Sequence, residues 1–227
     1  GTKPVEELRG RAEAIAAHLI GRGVKMLVVA CNSATAAAGD EIRALGREAG
    51  VPVVTVVGPE AEIAGAITAS GRIGVLATPA TVSSGAYRRA LEAQGPAYTV
   101  TEVEAPHLAP IIQEGPTFDE SVMATVRTYC RPLREAGIDT LILGCTHYPL
   151  VAPMLQRMLG RDVSLVTAGH AIAAAIQREL AARGELAPGG GEGSYEFLVT
   201  GDPAAFTDLG TRFLQLPLAG RVERVEL

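Results

Sequence analysis

The chain has 227 residues, 48% of them apolar but only 4% aromatic, and carries a net charge of −5. A chain of this length buries roughly 70% of its unfolded surface and supports one large domain or two small ones, and an aliphatic rather than aromatic core favours the packed strand and helix layers of the α/β class. The acidic balance, with no run of Lys or Arg, provides no electrostatic footprint for DNA or an anionic membrane, so nucleic acid is not an expected partner. No apolar run approaches the ~20 residues of a membrane span, and the amino end is charged and amphipathic rather than signal-like, so a cytoplasmic protein without a membrane partner is expected. Three cysteines far apart in sequence fit neither a disulfide framework nor a C-x-x-C pattern, and free thiols in a reducing compartment follow.

In chain order, residues 5–22 place Leu8, Ala12, Ile15, Ala16, Leu19 and Ile20 on one helical face, closed by Gly23. A buried strand is expected over 24–30, an Ala-rich helix over 33–49, a second buried strand over 52–57 and a helix near 60–69. A third strand, 72–77, feeds Thr78-Pro79-Ala80-Thr81, where Thr81 can cap a helix carrying Tyr87, Arg88 and Leu91. A strand over 98–103 and helices over 107–114 and 119–136 come next. Then 138–144 reads as a strand, 149–159 as a helix with Pro149 in its first turn, 162–166 as a strand and 170–183 as a helix. After the Gly-rich stretch 184–194 come a strand over 195–200, a helix opened by Gly201-Asp202-Pro203 and a candidate edge strand at 222–225.

The pattern repeats. MLVVACNSA matches TLILGCTHY, VVTVVGPEAEIAGAI matches VSLVTAGHAIAAAI, and GVLATPA matches EFLVTGDPA, in the same order. The period is too long for a solenoid, so two similar α/β halves facing each other across a cleft are expected. Ligands of α/β proteins bind at the carboxyl ends of strands. The two matched strands end there in Cys31, followed by Asn32 and Ser33, and in Cys145, followed by Thr146 and His147.

A lone cysteine at a strand end is more often a small buried hydrophobe than a catalyst. A matched pair, each followed by hydrogen-bonding side chains, points to chemistry. Cys130, inside a helix and without such company, reads as a packing residue. His147 is either a satisfied interior histidine or a proton partner of Cys145. His107 and His170 have weaker claims, and His18 is expected to be solvated. Thr78 and Thr81 are either a helix cap or, with helix N-terminal amides, a carboxylate site. A cysteine hydrolase leaves the second thiol unexplained, no C-x5-R follows any cysteine, and no G-x-G-x-x-G or Walker loop follows a strand. Zinc could be held by Cys31, Cys145 and His147, but no spacing requires it.

Two thiols on opposite sides of a small carbon acid can exchange the roles of base and acid, one removing an α-proton while the other delivers a proton to the opposite face. That is racemisation or epimerisation. A free thiol has a pKa of about 8.5 and must be drawn toward thiolate, which helix N-termini favour. No cofactor is needed if the site stabilises the carbanion-like transition state.

ACNSATA at 30–36, ATPATVSSGAY at 77–87, LILGCTHYPL at 141–150 and TGDPAAF at 200–206 together resemble glutamate racemase, the cofactor-independent enzyme of the aspartate/glutamate racemase superfamily. The likeness spans nearly the whole chain. It implies two similar three-layer α/β domains with mainly parallel sheets facing across a cleft, 1–59 with 171–227 and 60–170, and interconversion of L- and D-glutamate for peptidoglycan synthesis. It further implies Cys31 as the thiol that deprotonates D-glutamate, Cys145 as that for L-glutamate, and His147 as the aid to Cys145. Asn32, Ser33, Thr78, Thr81 and Thr146 match substrate-holding positions, and family members are commonly homodimers. The family's opening strand with D-S-G-x-G-G and its P-Y-G turn, which touches the substrate, have no counterpart except Gly1, the one substrate-binding position of that turn that is kept, so a first βα unit of roughly forty residues reads as missing from the first domain. Ser33 replaces the usual Thr, Gln113 a common Glu, and Thr167-Ala168 the usual Asp-Ser. A central strand without its neighbour exposes unpaired backbone, so a chain prone to aggregate and weak or inactive in turnover is expected. Racemisation of aspartate or another amino acid, a one-cysteine decarboxylase, and a non-catalytic binding module remain as alternatives.

Overall fold

Short aliphatic strands that alternate with amphipathic helices can bury both strand faces only by running parallel with helices on either side. The computed structural model shows that arrangement and describes residues 3–95, 98–115, 119–189, 193–215, 217–218 and 222–227. It divides into a unit over 1–184 and one over 185–227.

In the first unit, α1 (Val5–Gly21) and α2 (Asn32–Ala49) flank a parallel pair, β1 (Leu27–Val29) and β2 (Val53–Thr55), with Leu27 opposite Val53. Ala16, Leu27, Ala38 and Ile42 form the buried centre of this corner. An apolar hollow of about 180 Å³ between α1 and β1 includes Ala12, Leu19 and Val28. The chain continues through α3 (Val57–Ile67), β3 (Arg72–Ala77), α4 (Pro79–Ser83), α5 (Ala86–Glu92), β4 (Thr99–Glu104), α6 (Leu108–Glu114) and α7 (Glu120–Glu135). It ends with β5 (Thr140–Gly144), a 3-10 turn (Tyr148–Val151), α8 (Ala152–Leu159), β6 (Ser164–Val166) and α9 (Ala168–Ala182).

Strands β4, β3, β5 and β6 form a four-stranded parallel sheet in that order. Its two faces follow strand alternation: Leu141 and Leu143 pack with Leu108, Leu133 and Leu155, whereas Ile142 joins Ile73, Val75, Tyr87 and Val166. All five β5 residues are buried, as its uncharged run requires. Gly144 closes the strand because a Cβ there would lie 2.8 Å from Ala77 Cβ and 3.1 Å from Tyr87 Cε2. At the opposite, amino edge, Asp139 accepts from the Thr68 hydroxyl and the Ala69 and Ser70 amides at 2.6, 2.9 and 2.6 Å. Desolvation pushes that carboxyl up, but these bonds outweigh it and hold it well below the usual range.

In the second unit, β7 (Phe197–Val199) and β8 (Val222–Arg224) pair in parallel, joined through α10 (Pro203–Leu214). Asp202 caps α10 by accepting from Ala204 N and Ala205 N at 3.1 and 3.2 Å, which explains the Gly-Asp-Pro sequence locally. Among the described residues, no helix is long and apolar enough to cross a membrane.

The elements differ from the sequence expectation at their ends. The strands expected over 24–30 and 52–57 shrink to three residues each, and Val57 already belongs to α3, whose first turn admits Pro59. Thr81 does not cap a helix: α4 begins at Pro79, and Gly85, at φ 64°, separates α4 from α5. The helix expected from 149 starts as a 3-10 turn, because Pro153 has no N–H to return to the carbonyl of Pro149.

Candidate active site

Three loops at carboxyl ends of parallel strands converge on one cavity of about 350 Å³: Cys31 and Ser33 after β1, Thr78 after β3, and Cys145, Thr146 and His147 after β5. Of the expected site residues these six line the cavity, Asn32 and Thr81 are packed behind it, and Gly1 lies outside the described residues.

Cys31 is exposed and occupies the N-cap of α2, where Ala34 N donates to its Sγ at 3.5 Å. An α-helix leaves its first amides without intrahelical acceptors, and the sulfur supplies one of them with a partner. Ser33, two residues on, joins Thr78 and Thr81 in a buried triangle of hydroxyls with Oγ separations of 2.9, 3.3 and 3.1 Å. Each hydroxyl can donate and accept, so one of the three can turn its hydrogen toward a carboxylate while two of the mutual bonds are kept.

Cys145 is half-buried. Burial pushes its thiol up to about 11, against the lowering pull of the His147 backbone amide. His147 Nδ1 lies 3.8 Å from Cys145 Sγ, and its Nε2 lies 3.3 Å from Gln113 Oε1. With the Gln113 oxygen accepting, Nε2 carries the ring hydrogen and Nδ1 presents its lone pair to the thiol; the tautomer is assigned from this hydrogen bonding. Burial lowers the His147 pKa, which keeps the ring neutral and able to accept a proton near pH 7. Gln113 thus supports His147 even without the charge of a carboxylate.

Behind Cys31, Asn32 Nδ2 donates to Glu60 Oε2 at 3.0 Å and to Tyr87 Oη at 2.7 Å, while the Tyr87 hydroxyl donates to the same Glu60 oxygen. All three residues are almost completely buried. Desolvation raises the Glu60 carboxyl to about 8, although the bonds from Tyr87 and Asn32 pull it down. The sequence expectation passed over Glu60 and Tyr87. The available signal was helical: Val57, Glu60, Ala61 and Ala64 share the buried face of α3, whereas Glu62 points outward to Arg178 at 3.6 Å.

The remaining candidates lie elsewhere. Cys130 is a core residue of α7 whose thiol is pushed up to about 11 by burial. His107 and His170 are exposed at the starts of α6 and α9. His18 is half-buried rather than solvated, with its Nε2 shielded inside the fold. Among the described residues, no three His, Cys, Asp or Glu side chains are grouped as metal ligands.

The sequence profile of the Asp/Glu/hydantoin racemases matches residues 4–178. Glutamate racemase from Beutenbergia cavernae is 41% identical over 223 residues, covering 94% of this chain and 76% of its own, and that from Geobacter metallireducens is 40% identical over 214 residues, covering 94% and 78%. Among solved structures, a glutamate racemase from Francisella tularensis in complex with D-glutamate superposes with a TM-score of 0.90 at 28% identity, covering 99% of this chain and 82% of its own. A glutamate racemase from Bacillus anthracis gives 0.89 at 31% identity with the same coverages.

Proposed function

The chain belongs to the Asp/Glu/hydantoin racemase family, and from that premise we propose that it interconverts L- and D-glutamate without a cofactor, using Cys31 and Cys145 as a reciprocal acid and base. The observation that carries this reading is that two thiols from matched strand ends line one small cavity. The substrate named for the Francisella relative supports glutamate as the amino acid.

For D-glutamate, the Cys31 thiolate takes the α-proton, the C–H electron pair becomes a carbanion delocalised into the α-carboxylate, and the Cys145 thiol delivers its proton to the opposite face. For L-glutamate, Cys145 first passes its proton to His147 Nδ1. The resulting thiolate then takes the α-proton, and the Cys31 thiol protonates the other face. The Ser33 and Thr78 hydroxyls and Thr146 bind carboxylates, with Thr81 supporting Ser33 and Thr78 from behind, and Asn32 accepts from the ammonium group. Stabilising the carbanion is the main demand, which fixed donors at the α-carboxylate meet. A homodimer working in the cytoplasm and supplying D-glutamate to peptidoglycan synthesis belongs to the same reading, on family likeness.

Circular dichroism of pure enantiomers tests it. Loss of optical activity with L- and D-glutamate, and much slower loss with aspartate, is expected. No change with glutamate, or faster change with aspartate, would sink the assignment.

A further inference from the structure

Thiol chemistry leaves the buried Glu60 carboxyl unused. Glu60 is 0% exposed on a helix face that is otherwise apolar, and a buried carboxyl is costly unless its bonds serve a purpose. Its Oε2 accepts from both Asn32 Nδ2 and the Tyr87 hydroxyl, and Asn32 Nδ2 gives its other hydrogen to Tyr87 Oη at 2.7 Å. Both amide hydrogens of Asn32 are thereby used from inside the fold. Its other end, Oδ1, is buried and accepts from no described residue. Asn32 sits between Cys31 and Ser33, both of which line the cavity.

An asparagine amide can be turned either way about its last bond, and a carboxylate, being an acceptor only, selects the state that presents nitrogen to it. We propose that Glu60 is a positioning residue: by holding the Asn32 nitrogen from behind, it reserves the Asn32 carbonyl oxygen for the ammonium group of the substrate. This rests on the racemase reading above. Glu60 faces Asn32 from α2 and Tyr87 from α5, with the Cys145 thiol electrostatically in reach beyond β5, while Arg178 of α9 is engaged by Glu62. Desolvation places the Glu60 titration at about 8, so its change from possible donor to acceptor only falls in an accessible pH range.

Two readouts separate this role from simple packing. Glutarate, a dicarboxylate without the ammonium, serves as a competitive inhibitor. Above pH 8, where Glu60 is an acceptor only, Glu60→Gln, which can present either a donor or an acceptor to Asn32, should raise the KM for D-glutamate about tenfold, the worth of one hydrogen bond near 1.4 kcal/mol, with kcat changed less than about threefold and glutarate inhibition unchanged. Separately, the Asn32 side-chain amide resonances of the unsubstituted protein should shift with a midpoint near pH 8 and stay flat in Glu60→Gln. Equal weakening of glutamate and glutarate, or an Asn32 amide that does not titrate in the unsubstituted protein, overturns the proposal. If glutamate is not turned over at all, the racemase reading fails, and the assignment of an ammonium acceptor falls with it. Turnover with a flat Asn32 titration overturns only the role of Glu60.

Discussion

Cys31 leaves a three-residue strand, is exposed, and sits on a helix N-cap with a backbone amide directed at its sulfur. Cys145 leaves a five-residue strand buried throughout, is itself half-buried, and has an imidazole at 3.8 Å as well as the His147 backbone amide. The matched sequences therefore build unmatched thiols. Burial keeps the proton on Cys145 and makes it the resting acid, while the position of Cys31 makes it the accessible one. A two-base racemase needs both forms in turn. The difference shows where help is required: at Cys145, a proton acceptor; at Cys31, fixed neighbours.

The largest effect that could break this comparison comes from removing either sulfur. Cys31→Ala and Cys145→Ala should each lower racemisation about 10³-fold, the scale of a lost general acid or base; retention of more than a tenth of the rate by either would show that the thiols are not partners. Next is chemical labelling. At pH 8, iodoacetamide should reach Cys31 on the order of a hundredfold faster than Cys145, which is exposed less and ionised to only about one part in a thousand. Peptide mass spectrometry reads the order, and prior labelling of Cys145 would reverse the assignment of environments.

His147→Ala should reduce kcat/KM about 10- to 100-fold. The loss must be equal in both directions, because enantiomers have equal free energy and their equilibrium constant is one. Without the imidazole the Cys145 proton must leave by itself, so the activity of the variant should keep rising at alkaline pH after the parent has levelled. Superimposable pH profiles would remove His147 from the proton path.

Glu60→Gln probes the Cys31 side through stability. With the folded carboxyl raised to about 8, its favourable contribution is complete below the unfolded value near 4.5 and is lost as pH rises through about 8. Relative to the parent, the variant should gain up to a few kcal/mol between pH 5 and pH 8.5. Urea melts at the two pH values check this, and a constant difference contradicts a buried titrating carboxyl. The smallest effect is expected from Gln113→Glu. A carboxylate beside His147 favours its protonated form, which shifts the pH profile upward and changes activity about two- to threefold near pH 7; an unchanged profile would mean that Gln113 does not act through the imidazole.

Much of this was legible in the sequence because periodicity and position carry it. LILG had to be a strand buried on both faces, and a polar run immediately after it had to reach the sheet's carboxyl edge. The same reasoning placed Cys31, Ser33, Thr78, Cys145, Thr146 and His147 at the cavity. What stayed hidden depends on side chains meeting across elements remote in sequence. Thr81 read as either a cap or a carboxylate-binding hydroxyl, since a threonine near a helix start can be both; its bonds to Ser33 and Thr78 require α2 and α4 to meet. Glu60 read as one more charged helix residue beside Glu62, and only the approach of Asn32 and Tyr87 makes it interior. The strand ends shifted for a local reason, since prolines at 59, 149 and 153 move helix starts by a turn.

The most direct test of two thiols acting on opposite faces is α-proton exchange in D2O, followed by NMR for each enantiomer with the parent, Cys31→Ala and Cys145→Ala. The parent should place deuterium at the α-carbon of the inverted product from either enantiomer. Without Cys145, only D-glutamate should exchange, and without Cys31, only L-glutamate, in both cases without inversion. Exchange of both enantiomers by either single-cysteine variant, or inversion without solvent deuterium in the product, would contradict the account.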